Sequence, residues 1–111
     1  RSRYVLLHTF RLFFLAMSLE DRMGLFLGAR EQCRSYIQAF HICARDNGGP
    51  LSAPCRPMHM AQNLCQGRFF CPREAEAARR GGEAEALALD YCCREFLSVL
   101  KADHAAAKQA Q

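Results

Sequence analysis

The chain has 111 residues, of which 50% are hydrophobic and 23% are charged, and its formal net charge is +4. This length allows one domain or a helical hairpin with extensions, and it limits the core that the chain can bury. The charge is mild and the arginines are scattered without interleaved aromatic residues, so no nucleic-acid partner is expected. Seven cysteines in so short a chain indicate an oxidising compartment.

Residues 1–30 are predicted to form a hydrophobic N-terminal helical extension. The apolar run 4–17 is short and is interrupted by His8 and Arg11, whereas a bilayer span takes about 20 apolar residues. As a helix this run is apolar on nearly all sides, so its own hairpin, a membrane surface or a partner protein must cover it. We expect a protein partner or the membrane boundary, because leftover apolar surface usually marks an interaction site. The residues assigned to this contact are Phe10, Phe13, Phe14 and Met17.

A second helix is predicted to begin at Ser18, which can cap it, with Glu20 and Asp21 in the first turn. The chain is therefore expected to bend just before Ser18. Gly24 and Gly28 lie four residues apart in this helix, where they would let another backbone approach closely or would simply loosen the helix.

The central segment, residues 31–67, contains two cysteine pairs with the same spacing. Cys33 and Cys43 are ten positions apart, and so are Cys55 and Cys65. Two residues at this spacing on an α-helix are separated by roughly 15 Å, whereas a disulfide requires Cα atoms within about 7 Å. The two members of a pair therefore cannot bond to each other.

The connector between the pairs indicates how the two helices face each other. Residues 46–50 end the first helix, because glycine supplies the left-handed conformation and proline cannot extend the run. Ser52 is available to cap the next helix. So short a connection favours an antiparallel hairpin, with one disulfide at each end. The predicted disulfides are Cys33–Cys65 and Cys43–Cys55.

These residues resemble the twin C-x9-C, or coiled-coil-helix-coiled-coil-helix (CHCH), proteins of the mitochondrial intermembrane space. The resemblance covers the four cysteines and Phe40, an aromatic residue three positions before the second cysteine. Gln62 stands at the matching position of the second pair and departs from the pattern. The resemblance implies import as a reduced chain, oxidation in that compartment, and a position on the intermembrane-space side of the inner membrane.

Several accessory subunits of respiratory complex I, and one of cytochrome c oxidase, are similar in this respect. The resemblance thus implies a structural accessory subunit, with complex I favoured, whose partners are the other subunits of a large membrane complex. The alternatives are a soluble assembly factor or a copper chaperone for cytochrome c oxidase in the same compartment. A secreted cysteine-rich helical protein is a further alternative, and it would have a signal peptide upstream of Arg1.

Residues 68–111 are predicted to form a C-terminal helical arm. Residues 66–68 are expected to close the second hairpin helix, and a short helix then begins at Cys71 and Pro72. Gly81 and Gly82 break this short helix, and a longer amphipathic helix follows from residue 83 to about residue 108. With the two extensions and the hairpin, the predicted fold is all-α.

A third disulfide is expected to join Cys71 to Cys92 or Cys93, which leaves one thiol over. The adjacent pair Cys92 and Cys93 also offers soft ligands for Cu(I). In the copper chaperone of cytochrome oxidase, however, such a pair precedes the hairpin in a flexible segment, whereas here it follows the hairpin within a helix.

No metal, cofactor or catalytic site is predicted. A zinc site at the turn of the hairpin would need Cys43 and Cys55 as ligands, but the predicted disulfide already uses both. These residues also lack the C-x2-C spacing that is typical of zinc sites. So thin a scaffold offers no pocket for Cys-His catalysis, and no glycine loop follows a strand to hold phosphate. His8 and His104 are isolated in the sequence. The residues of the rejected zinc set are His41, Cys43, Cys55 and His59.

Overall fold

The structure is a computed structural model that describes the backbone of residues 3–110 and the side chains of residues 10–110. Across these residues the chain contains helices and no strand, so the all-α prediction is confirmed. His8 lies outside the described side chains. The helices are α1 (Arg3–Ala16), α2 (Leu19–Gln32), α3 (Arg34–Asp46), α4 (Arg56–Phe70), α5 (Pro72–Arg79) and α6 (Glu83–Gln109), and a short 3₁₀ turn, Ala53–Cys55, precedes α4.

The predicted bend between α1 and α2 is confirmed. The Ser18 side-chain oxygen accepts a hydrogen bond from the Asp21 backbone N–H at 3.0 Å, and Glu20 and Asp21 occupy the first turn of α2. Their negative charges lie near the positive end of the helix dipole, which favours a new helix start at this point. α2 then runs almost directly into α3, with Cys33 at the junction.

α3 and α4 form the hairpin. Gly48 and Gly49 follow the end of α3 with φ values of 84° and 135°, a region that L side chains rarely adopt and glycine tolerates. Two disulfides across the pair place the start of α3 beside the later part of α4 and the end of α3 beside the start of α4. The helices are therefore antiparallel, as the connector predicted.

The expected end of the second hairpin helix at residues 66–68 is wrong, because α4 continues to Phe70. Gly67 lies inside the helix at a close contact. A Cβ built on Gly67 would lie 2.7 Å from Leu89 Cδ1 and 3.1 Å from Ala75 Cβ. Glycine at this position allows α5 and α6 to approach α4, and it does not terminate the helix.

The main core joins the two segments that the sequence predicted as extensions. α1 packs along α6, and the Phe14 ring meets the Phe96 ring edge to face at 5.1 Å. On another face Phe96 stacks on Phe70 at 4.1 Å. A second, smaller cluster lies at the turn end of the hairpin and consists of Phe40, Cys43 and Cys55.

Candidate functional site

The two hairpin disulfides form as predicted. Cys33 and Cys65 are joined with a Cα–Cα distance of 5.8 Å, and Cys43 and Cys55 with a distance of 5.6 Å. All four side chains are buried. Because one bond lies near each end of the hairpin, α3 and α4 cannot slide or rotate past each other.

The third disulfide joins Cys71 to Cys92, one of the two predicted partners. Cys71 lies between α4 and α5, so this bond attaches both helices to α6. Cys93 is left as a free, buried thiol. Burial, and then the negative charges of Asp90 and Glu74, raise the pKa of Cys93 from 9.0 to about 12. At neutral pH this group is a protonated thiol.

The copper hypothesis requires adjacent thiolates at Cys92 and Cys93, and the oxidised chain does not present them. Cys92 is in a disulfide, and burial keeps Cys93 protonated. The rejected zinc set likewise has both of its sulfurs in one disulfide. Its His59 ring stacks on Phe40 at 4.9 Å, which is a packing role in the hairpin.

The four N-terminal residues assigned to a partner fall into two groups. Phe14 is fully buried inside the chain, because α1 lies against α6, so it cannot contact a partner as predicted. Phe10 and Met17 are partly buried against the same core. Phe13, in contrast, is 61% exposed.

The outer side of α1 and α2 carries further exposed apolar side chains. On α1, Leu12 is 56% exposed and Leu15 is 52% exposed. On α2 the exposed apolar residues recur every four positions, which places them on one side of the helix. We call this set the α1–α2 apolar surface: Leu12, Phe13, Leu15, Leu19, Met23 and Leu27.

Sequence reasoning identified only Phe13 of this surface. The four-residue spacing of the α2 members was present in the sequence, but it could not separate an outward from an inward strip in a helix with apolar residues on several sides. In the structure Arg22 and Ala29 are buried and mark the inner side of α2, which shows that the apolar strip faces outward.

Arg22 is a buried residue that the sequence did not single out. Its guanidinium donates to the backbone carbonyl oxygens of Phe14, at 2.8 Å, and Met17, at the end of α1. The Phe14 carbonyl also accepts from the Met17 backbone N–H at 3.1 Å. Arg22 also forms an ion pair with Asp103 of α6 at 2.8 Å. One side chain of α2 therefore holds α1 and α6, and Arg11 adds a second ion pair from α1 to Glu95 of α6.

None of the described helices combines the length and the apolar character that crossing a bilayer requires. Comparison of the chain with protein-family models, with curated proteins and with solved structures finds no match.

Proposed function

We propose that the chain is a CHCH protein of the mitochondrial intermembrane space that serves as a structural accessory subunit of an inner-membrane respiratory complex. One observation carries this proposal: two cysteine pairs with the same ten-residue spacing are cross-linked to each other across an antiparallel hairpin. Disulfides of this kind persist in an oxidising compartment. Complex I is favoured, because several of its accessory subunits are similar to this hairpin.

The α1–α2 apolar surface supports a binding role over a catalytic one. Large apolar side chains are exposed on two consecutive helices, and burial against another subunit gains about 25 cal/mol for each Å² of apolar area removed from water. The helices that carry them are held by Arg22 and by the main core. A rigid surface loses little conformational freedom on binding, which favours stable association. The function is to hold neighbouring subunits in register.

Native electrophoresis after extraction of mitochondria with a mild detergent tests the proposal. An epitope-tagged chain is expected to comigrate with a large respiratory complex and, for complex I, with NADH dehydrogenase activity in the gel. Comigration with cytochrome c oxidase would retain the accessory role and exclude complex I. A small species alone would favour the soluble assembly factor and contradict the proposed subunit.

Matched variants test the surface itself. Leu12→Glu and Leu15→Glu place charge on the α1–α2 apolar surface and are expected to release the chain from the complex. Leu51→Glu is the control, because Leu51 is 89% exposed at the hairpin turn and lies outside this surface. Equal assembly of all three variants would show that the complex does not use this surface.

A further inference from the structure

Glu74 is a possible metal ligand that lies beside the two cysteines of the third disulfide. The ligand atoms of Cys71, Glu74 and Cys92 all lie within 4.8 Å of one another, and Cys92 Sγ is 3.8 Å from Glu74 Oε1. In a tetrahedral zinc site with ordinary bond lengths, a sulfur and a carboxylate oxygen are about 3.6 Å apart. The carboxylate already lies at nearly the distance from the Cys92 sulfur that a shared Zn²⁺ ion requires.

A cavity between α1, α5 and α6 borders this group. The cavity has a volume of about 360 Å³, and Glu74 and Cys92 both line it, together with Phe10 and Phe70. Cys92 is buried by its neighbours and is one of the residues that line this cavity.

We propose that reduction of the Cys71–Cys92 disulfide creates a Zn²⁺ site formed by Cys71, Cys92 and Glu74. A phosphine reductant gives two electrons to the disulfide, and the S–S bond breaks. Water supplies the oxygen of the phosphine oxide and the two protons that the sulfurs take up. Side-chain rotation then separates the sulfurs to about 3.8 Å, the spacing of two thiolates on one tetrahedral zinc. Zn²⁺ displaces the two thiol protons, the Glu74 carboxylate supplies the third ligand, and water from the cavity completes the coordination.

In this site the ion takes over the mechanical role of the disulfide. Cys71 precedes α5, Glu74 lies in its first turn, and Cys92 belongs to α6, so Zn²⁺ ties the same two helices together. An added disulfide oxidant accepts the two electrons and leaves as two thiols, which reforms the Cys71–Cys92 bond. The ion is then expelled, because the disulfide has no thiolate ligand. The inference does not depend on the proposed respiratory role.

The test is metal titration of the full-length chain after complete reduction with a phosphine under anaerobic conditions. Co²⁺ is used as a spectroscopic probe of thiolate ligands, and Zn²⁺ is used for competition. The reduced chain is expected to bind one more Zn²⁺ ion than reduced Cys92→Ser. This comparison removes any contribution from the four hairpin cysteines, which are the same in both chains. Equal numbers of ions in the two chains would overturn the proposal.

Two acidic variants test the carboxylate ligand. Glu74→Gln is expected to weaken binding of that ion by at least about tenfold, whereas Glu76→Gln, an exposed neighbour on the same helix, is expected to bind as the unmodified chain does. Cys93→Ser is also expected to retain the ion. Loss of the ion in Cys93→Ser, or equal affinities of Glu74→Gln and Glu76→Gln, would contradict the assigned ligands.

A structural measurement completes the experiment. Far-ultraviolet circular dichroism of the reduced chain is recorded before and after addition of Zn²⁺. The helical signal is expected to be retained or restored with Zn²⁺, and less so in Cys92→Ser. A reduced chain that remains unfolded in the presence of Zn²⁺ would overturn the proposal.

Discussion

Gly67 and Gly24 both lie inside helices, but a methyl group at each would meet different surroundings. At Gly67 it would come within 2.7 Å of Leu89 and 3.1 Å of Ala75, and both side chains are fixed in the main core. Alanine favours the helix by about 1 kcal/mol over glycine, but overpacking of a filled core costs roughly 1–3 kcal/mol. Gly67→Ala is therefore expected to lower the free energy of unfolding, as measured by urea denaturation.

Gly24→Ala is the matched control. Nothing lies within 4 Å of the position that its Cβ would occupy, so only the helix propensity changes. The free energy of unfolding is expected to rise by about 0.5–1 kcal/mol. Stabilisation by Gly67→Ala of the same size would show that α4, α5 and α6 are less closely packed than described.

The free thiol of Cys93 predicts a pH dependence of stability. Its pKa is raised by burial, and then by Asp90 and Glu74, from 9.0 to about 12. Between these values the unfolded chain releases the thiol proton and the folded chain keeps it. The contribution to stability is fully present below pH 9.0 and is lost as the pH rises toward 12.

Cys93→Ser removes this titration. Urea denaturation at about pH 8 and about pH 10.5 is expected to show a larger loss of stability in the unmodified chain than in the variant. Other groups titrate in both chains and cancel in the comparison. The same loss in both chains would mean that the Cys93 thiol is not held protonated by the fold.

At the scale of the helices, Arg22 is expected to be the most costly ion-pair residue to replace. Arg22→Met removes the donor to the Asp103 carboxylate and to the Met17 carbonyl, and one of the two donors to the Phe14 carbonyl. Removal of one partner from a buried hydrogen-bonded ion pair costs roughly 2–4 kcal/mol. The free energy of unfolding is expected to fall by that amount, and α1 is expected to lose amide-exchange protection first.

Arg34→Met provides the comparison for Arg22. Arg34 pairs with Glu31 on an exposed part of the chain, and such surface pairs contribute less than about 1 kcal/mol. A loss of stability in Arg34→Met as large as that in Arg22→Met would show that the effect comes from the change of residue type and not from the buried contacts.

The sequence predicted these helix starts and ends well, because each one depends on residues only a few positions away. Ser18 and the acids after it start α2, Gly48 and Gly49 end α3, and Gly81 and Gly82 separate α5 from α6. The prediction that the second hairpin helix ends around Gly67 is wrong, because the side chain that requires glycine at this position, Leu89, is distant in sequence. Glycine can end a helix or can admit a neighbouring helix, and only the position of Leu89 distinguishes the two.

The sequence predicted the disulfides of the candidate site but not the packing of α1. The spacing of the hairpin cysteines and the short connector together imply which sulfurs meet, and the disulfides follow. The sequence could not predict which face of α1 packs on the core, because nearly every side of that helix is apolar. Packing against α6 selected Phe14 for the core and left Phe13 outside.

At the scale of the whole molecule, the described side chains, residues 10–110, include two separate apolar clusters of unequal size. The main core joins α1, α2, α5 and α6 with the end of α4. The buried cluster at the turn end of the hairpin consists of Phe40 and one disulfide, Cys43–Cys55. Regions with few buried contacts open locally at a lower free energy than the whole protein. The turn end is therefore expected to depend on its disulfide more than the main core depends on any one bond.

A comparison of two double variants tests this division. Cys43→Ser/Cys55→Ser releases a bond between residues 12 positions apart, and Cys71→Ser/Cys92→Ser releases one between residues 21 positions apart. The chain-entropy model assigns both bonds about 3 kcal/mol, so the two losses of global stability are expected to be similar. Their distribution is expected to differ. Native-state hydrogen exchange should show local loss of protection at the turn in the first variant, and loss along α5 and α6 in the second. Uniform loss in the first variant would show that the turn and the main core unfold as a single cooperative unit.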